Sequence, residues 1–258
     1  MERKPLDRLG VTGEDRLLLA KVLDRAEQAR RRNIPVSTDF LSPAQQALAE
    51  DLLRLEGVTA YQKTGGYDGA ERCVLLFLPD WMEDGEPPIR FLRASYRVED
   101  GLSHRDLLGS LMALGVAREK LGDILAGEDS ADVCVLEGIA AFLLQNWESA
   151  GRAKLRVASI PPEDLRVPEV KCETYRDTVS SLRLDAVASS GFRLSRGRAA
   201  ELVTAGRVQV NWRECVKPDR LLVQGDTVTA RGFGRIELAE VGSLTRKGRI
   251  SIVVRRYR

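Results

Sequence analysis

Apolar positions at helical spacing mark the start of the chain. Leu19, Val22, Leu23 and Ala26 follow the period of one helix face, and Thr12, with Asp15 three residues on, is placed to cap that helix. It ends in Arg30, Arg31 and Arg32 before Asn33 and Pro35. Three cations suit a helix C-terminus, so the triplet reads first as a solvated helix end and second as an RNA contact. Ser42-Pro-Ala-Gln45 is a capping box that starts a second helix through Leu48, Leu52 and Leu55, stopped by Gly57. Beyond it the pattern changes to short apolar runs, Cys73–Leu78 and Ile89–Ala94, separated by the turn-rich Glu83–Pro88. Ser103, with Asp106 at the third helical position, opens a helix over Leu107–Leu114 that Gly115 stops. Strand signals at 122–125, 132–135 and 153–160 and a helix over Glu137–Trp147 complete a small α+β unit. Pro161, Pro162 and Pro168 mark an extended linker, with one further strand around Val170–Tyr175.

Composition narrows the chemistry. The 258 residues are 43% hydrophobic, enough for packed cores, and the longest apolar runs fall well short of a membrane span. The start, Met1-Glu-Arg-Lys-Pro5, has no apolar stretch, so a cytoplasmic protein is expected. Cys73, Cys134, Cys172 and Cys215 are isolated, which predicts buried free thiols rather than a zinc site or disulfides. His104 is the sole histidine, and no phosphate-binding or dinucleotide glycine loop occurs. No metal and no cofactor are expected.

A net charge of only +2 hides a division along the chain. Residues 181–258 carry 16 Lys+Arg against 7 Asp+Glu, whereas residues 1–180 carry 24 against 31. A basic C-terminal third on an acidic remainder is what a polyanion-binding module looks like.

Within that third, four blocks occur in order: Arg183-Leu-Asp-Ala-Val187, Ser195-Arg-Gly-Arg198, Ala205-Gly-Arg-Val-Gln-Val-Asn211 and Gln224-Gly-Asp-Thr-Val228. They resemble the S4, or αL, RNA-binding domain. Ser195 is placed to cap a helix whose first turn holds Arg196 and Arg198 beside free backbone amides. Gly206 permits the left-handed turn into a strand on which Val208 and Val210 face inward while Arg207, Gln209 and Asn211 face out. The resemblance implies an RNA face around Arg183, Ser195, Arg196, Arg198, Arg207 and Asn211, extended by Arg231 and Arg235. Phe233 reads equally as a base-stacking or a core residue, and Arg255, Arg256 and Arg258 as a basic tail. An Arg-Leu-Asp triplet also carries the catalytic aspartate of pseudouridine synthases. Here it lies inside the S4 blocks, which makes Asp185 a helix-start residue.

The stretch Ser103-His-Arg-Asp-Leu-Leu-Gly-Ser-Leu-Met-Ala-Leu-Gly115 and its continuation to Ile124 resembles the signature of the YlmH family. The pattern and the two resemblances together divide an α+β protein into five parts: a helical region 1–66, a small RRM-like α+β domain 67–160 that the resemblance assigns to RNA binding, a linker 161–180, the S4 domain 181–240 and a basic strand or tail 241–258. The family resemblance further implies a noncatalytic factor, expected here to be monomeric, that binds ribosomal RNA of the large ribosomal subunit and, in Gram-positive bacteria, holds peptidyl-tRNA on stalled subunits during ribosome-associated quality control. Plastid and cyanobacterial relatives are named instead for photosystem II. A second RNA face is expected from Arg90, Arg93, Arg97, His104, Arg105, Arg118 and Lys120, against which stand the acidic flanks Glu83-Asp84 and Glu128-Asp129. His104 by itself reads as a capping or packing residue. An RNA-modifying enzyme or an assembly factor with an S4 appendage is the alternative function.

Overall fold

The structure, a computed structural model, describes residues 4–168 and 172–257. A short helix, α1 (Lys4–Arg8), is tied to α2 (Gly13–Arg32) by Arg16, whose Nη1 donates to Asp7 at 2.7 Å. Thr12 sits at the N-cap of α2 in extended conformation but makes no capping bond, and α2 ends where Asn33 turns left-handed. Strand β1 (Val36–Ser37) leads into α3 (Pro43–Leu55), and here the predicted capping box forms in full: the Gln45 amide donates to Ser42 Oγ and the Ser42 amide to Gln45 Oε1. Strands β2 (Tyr61–Thr64) and β3 (Val74–Phe77) join β1 in an antiparallel sheet of order β1-β3-β2. Leu19, Val22, Leu52, Leu53, Leu75 and Phe77 form the core beneath it.

The sheet moves a boundary. The first region is not purely helical and does not stop at residue 66, because β2 and β3 lie on either side of that point and pair in register from Tyr61↔Phe77 to Thr64↔Val74. The apolar run at 73–78 therefore belongs to this first sheet, and its expected neighbour at 89–94 belongs to the next.

That next layer consists of β4 (Ile89–Ser95), α4 (His104–Ala113), β5 (Leu121–Ala126), β6 (Ser130–Leu136), α5 (Glu137–Asn146), the short hairpin β7 (Ser149–Ala150) and β8 (Ala153–Lys154), and β9 (Arg156–Ile160). Leaving the hairpin aside, the order is βαββαβ, and the antiparallel sheet runs β5-β6-β4-β9. This is the split βαβ arrangement of ferredoxin-like and RRM-like domains. Ser103 and Asp106 form the predicted box at the start of α4. Strand alternation sends Leu92, Ala94, Val133 and Val135 toward α4 and α5, and Ile89, Phe91 and Cys134 to the other face.

The chain divides into two units between Pro168 and Glu169. In the second, β10 (Cys172–Val179) precedes the helices α6 (Leu184–Phe192) and α7 (Arg196–Thr204), followed by β11 (Val208–Val210), β12 (Arg213–Glu214), β13 (Thr227–Ala230), β14 (Gly234–Leu244) and β15 (Ile250–Tyr257). All six strands form one antiparallel sheet, β10-β15-β14-β13-β11-β12. Two expectations change. Residues 172–179, read mostly as linker, are an edge strand paired with β15 along its whole length. Arg255 and Arg256 lie on β15 between two neighbours instead of in a tail, since Val254 and Ile252 anchor that strand in the core. Val170 and Arg258 lie outside the described residues.

Candidate nucleic-acid interface

The helix pair of the second unit is built around one carboxylate. Asp185, only 5% exposed, sits in the first turn of α6 and accepts from Arg183 Nε and Nη2, each at 3.1 Å. Arg196, at the start of α7, donates to the same two oxygens from Nε and Nη2 at 3.2 and 3.3 Å. Burial would raise this carboxyl group, but the hydrogen bonds and charges of the two arginines outweigh it and hold Asp185 below the ordinary carboxylate range. Both arginines are half-exposed, and among the described residues neither Nη1 has a partner. One anion thus orients two cations whose outer edges face water, the geometry a phosphate oxygen needs.

Ser195 caps α7 as expected, its Oγ accepting the Arg198 amide at 3.2 Å, while Arg198 itself pairs with Glu201 at 2.9 Å on the same helix. Gly206 is left-handed at φ +68 and turns the chain into β11, where Val208 and Val210 are buried. Arg207 and Arg231 are exposed neighbours, joined by the bond from the Arg231 amide to the Arg207 carbonyl at 3.0 Å. Among the described residues, neither side chain has a partner.

Other expected members are engaged internally. Asn211 is left-handed, and its amide donates to Asp226 at 2.7 Å and accepts from the Thr227 amide at 2.9 Å, so it braces a turn. Arg235 lies over the Tyr257 ring at 4.6 Å from its centroid. Phe233 packs on the core beside Phe192, with centroids 6.3 Å apart, which favours its core reading. Arg249 had no sequence signal. It donates to Thr178 Oγ1 at 2.9 Å and, with Arg196, Ser189 and Ser190, lines a shallow cleft of about 280 Å³.

The second face is largely closed. Arg93 makes two 2.7 Å bonds to Asp132, which is 1% exposed, and a third to the Asp164 carbonyl. Arg90 pairs with Glu86 and Glu137, Lys120 with Asp39, and Arg118 turns inward to the carbonyls of Leu121 and Gly122. Arg97, His104 and Arg105 remain exposed around the start of α4, where Ser103 rather than His104 is the cap. The sheet face that RRM domains turn toward bases is itself covered. Phe91 is 5% exposed there, beneath Phe40, Val74 and the loop at Gly66, whose φ of +94 and close approach admit only glycine: a Cβ would meet the Phe91 ring at 2.7 Å.

Cys73, Cys134 and Cys215 are buried, and burial first of all pushes the Cys134 thiol up to about 12; Cys172 is exposed, contrary to expectation. No group of metal-ligating side chains and no helix long and apolar enough to cross a membrane occurs among the described residues.

Known proteins match along most of this chain. Residues 14–80 match the family model "YlmH, N-terminal", residues 95–164 "Putative RNA-binding domain in YlmH", and residues 182–228 "S4 domain". A Bacillus subtilis (strain 168) protein named "Ribosome-associated protein quality control protein P2" is 35% identical over 224 residues, spanning 86% of this chain and 87% of the relative. The chain belongs to the YlmH family. A solved structure, "Cell division protein ylmH from Streptococcus pneumoniae", shares 24% identity and a TM-score of 0.50 over 60% of this chain and 97% of its own, a likeness of fold alone. The S4 match encloses the Asp185 bracket, both its arginines and Arg207, whereas Arg231 and Arg249 lie beyond it.

Proposed function

We propose that this protein is a noncatalytic RNA-binding factor of ribosome-associated quality control. It docks on ribosomal RNA of the large subunit through its S4 domain and stabilises peptidyl-tRNA on stalled subunits. The observation that carries the reading is the arginine pair Arg183 and Arg196, set by buried Asp185 within an S4 match. Its relative's name supplies the process. The mechanism is electrostatic and steric: oriented guanidiniums and the free Arg207 and Arg231 neutralise phosphates of folded RNA, giving shape-dependent affinity with little base specificity. The central domain contributes through Arg97, His104 and Arg105 at the start of α4, since its sheet face is covered.

Cosedimentation with large ribosomal subunits tests this reading. Arg196→Glu together with Arg198→Glu abolishes binding, and retention of wild-type cosedimentation would sink the docking model.

A further inference from the structure

A groove of about 600 Å³ runs between α2 and the segments 38–42 and 118–119 of the first unit. Two half-buried arginines line it, and both donate to one carbonyl oxygen: Arg72 Nε to Leu121 at 2.9 Å and Arg118 Nη1 to Leu121 at 2.7 Å. Further carbonyls hold each group in place, Phe40 for Arg72 at 3.0 Å and Gly122 for Arg118 at 3.1 Å. Two guanidiniums sharing an acceptor are like charges at close quarters. Among the described residues no carboxylate lies within ion-pair distance of either, although Asp123 acts on both and Glu119 on Arg72 from further off. Burial and the charge of Arg118 together bring the Arg72 guanidinium down to about 10, and burial lowers Arg118 as well.

The remaining donors, Arg72 Nη1 and Arg118 Nε and Nη2, have no partner among the described residues, yet no buried side-chain nitrogen is left unsatisfied. They are therefore not sealed from solvent, and both arginines belong to the groove lining. Two guanidiniums held by neutral carbonyls, with N–H groups to spare beside a cleft, suit an oxyanion. The walls restrict what carries it. The walls carry both signs, Glu14, Asp15, Asp39 and Glu119 against Lys21 and Arg25, so beyond the two arginines they offer a continuous strand of phosphates no net positive track, while Leu17 and Leu18 supply an apolar side. On a nucleotide, those carboxylates accept hydrogen bonds from ribose hydroxyls or base amino groups.

We propose that this groove binds a single phosphate group carried by a ligand of nucleotide size, gripped by Arg72 and Arg118. Its volume lies within the range usual for small-ligand sites. The site is separate from the S4 face and stands whether or not that face binds the ribosome.

Isothermal titration of the full chain with AMP, GMP and inorganic phosphate tests the assignment. One nucleotide binds saturably and inorganic phosphate competes with it more weakly. Arg118→Gln weakens binding about tenfold or more, the loss of one charge-assisted contact. Because Arg118 also anchors Leu121 and Gly122, a second variant is needed: Leu17→Glu lies on a 66% exposed helix position, preserves the fold, and weakens binding through its added charge at the groove. Absence of saturable binding by all three probes at millimolar concentration would overturn the proposal, as would affinities unchanged in both variants. So would a short single-stranded RNA that binds more tightly than either mononucleotide and is weakened by both variants.

Discussion

Arg196 places Nε and Nη2 on the two oxygens of Asp185, at 3.2 and 3.3 Å, although the two residues start different helices. The carboxylate thereby fixes α6 relative to α7 and aims the arginine. Asp185→Asn removes the charge while keeping the shape. It should destabilise the second unit by about 2 kcal/mol, less than for a wholly buried pair because both arginines are half-exposed. The pH dependence has a definite sign. Folded Asp185 titrates below its ordinary 3.8, so its contribution is complete above that value and is lost as pH falls beneath it. Hydrogen exchange of the α6 and α7 amides from pH 7 down to about 3 should show acid loosening in the wild type and a flatter profile in the variant.

Arg207 and Arg231 differ from that bracket in having no internal partner, so their charge is available to phosphate without breaking anything. Replacing both with Gln should leave thermal stability within about 0.5 kcal/mol of wild type. RNA affinity should fall on all sequences alike. The slope of log affinity against log salt should shrink by about 2, one for each lost phosphate contact. A wild-type slope in the double variant would remove these residues from the interface.

Local signals in this sequence carry their meaning within three or four residues, and apart from Thr12, which makes no capping bond, those are legible. The boxes Ser42–Gln45 and Ser103–Asp106, the Ser195 cap and the left-handed Gly206 all follow from short-range chemistry. Arginines are different, because their use depends on partners far along the chain. Arg93 meets Asp132 39 residues away, Lys120 meets Asp39 81 residues away, and Arg249 reaches Thr178 across 71. Nothing local separates an arginine facing solvent from one neutralised by a distant carboxylate. The same reason hid the sheet membership of β3, whose partners β1 and β2 are set by topology rather than by its own apolar run.

The Arg93–Asp132 pair also secures the end of the first unit. Asp132 accepts the Arg166 amide at 2.7 Å as well, and Arg93 donates to the Asp164 carbonyl, so segment 164–166 is clasped onto the covered sheet face. Asp132→Asn leaves Arg93 without its counter-charge in a site almost closed to water. A loss of about 3–5 kcal/mol is expected for the first unit. Limited proteolysis should then cut between residues 160 and 168, a stretch the wild type protects. Unchanged protection with unchanged stability would show that the apolar contacts of Leu165 suffice to hold the segment.

The opposed charges of residues 1–180 and 181–258 yield the last expectation. The S4 unit has its own core, from Val187 and Leu202 to Ile236 and Val254, so a fragment of residues 172–258 should fold independently. Its arginines make contacts that any phosphate backbone satisfies, and alone it should bind folded and random RNA with similar affinity. Joined to the acidic remainder, the same surface should reject RNA that the first unit cannot also accommodate, because misplaced phosphates meet carboxylates. Selectivity then comes from repulsion more than from added contacts. Filter binding of both proteins to a structured ribosomal RNA fragment and to random RNA, between about 50 and 200 mM salt, measures it. The intact chain should discriminate more strongly at every salt concentration, with the gap narrowing as salt screens the repulsion. Equal discrimination by fragment and intact chain would mean that the acidic unit plays no part in choosing the RNA.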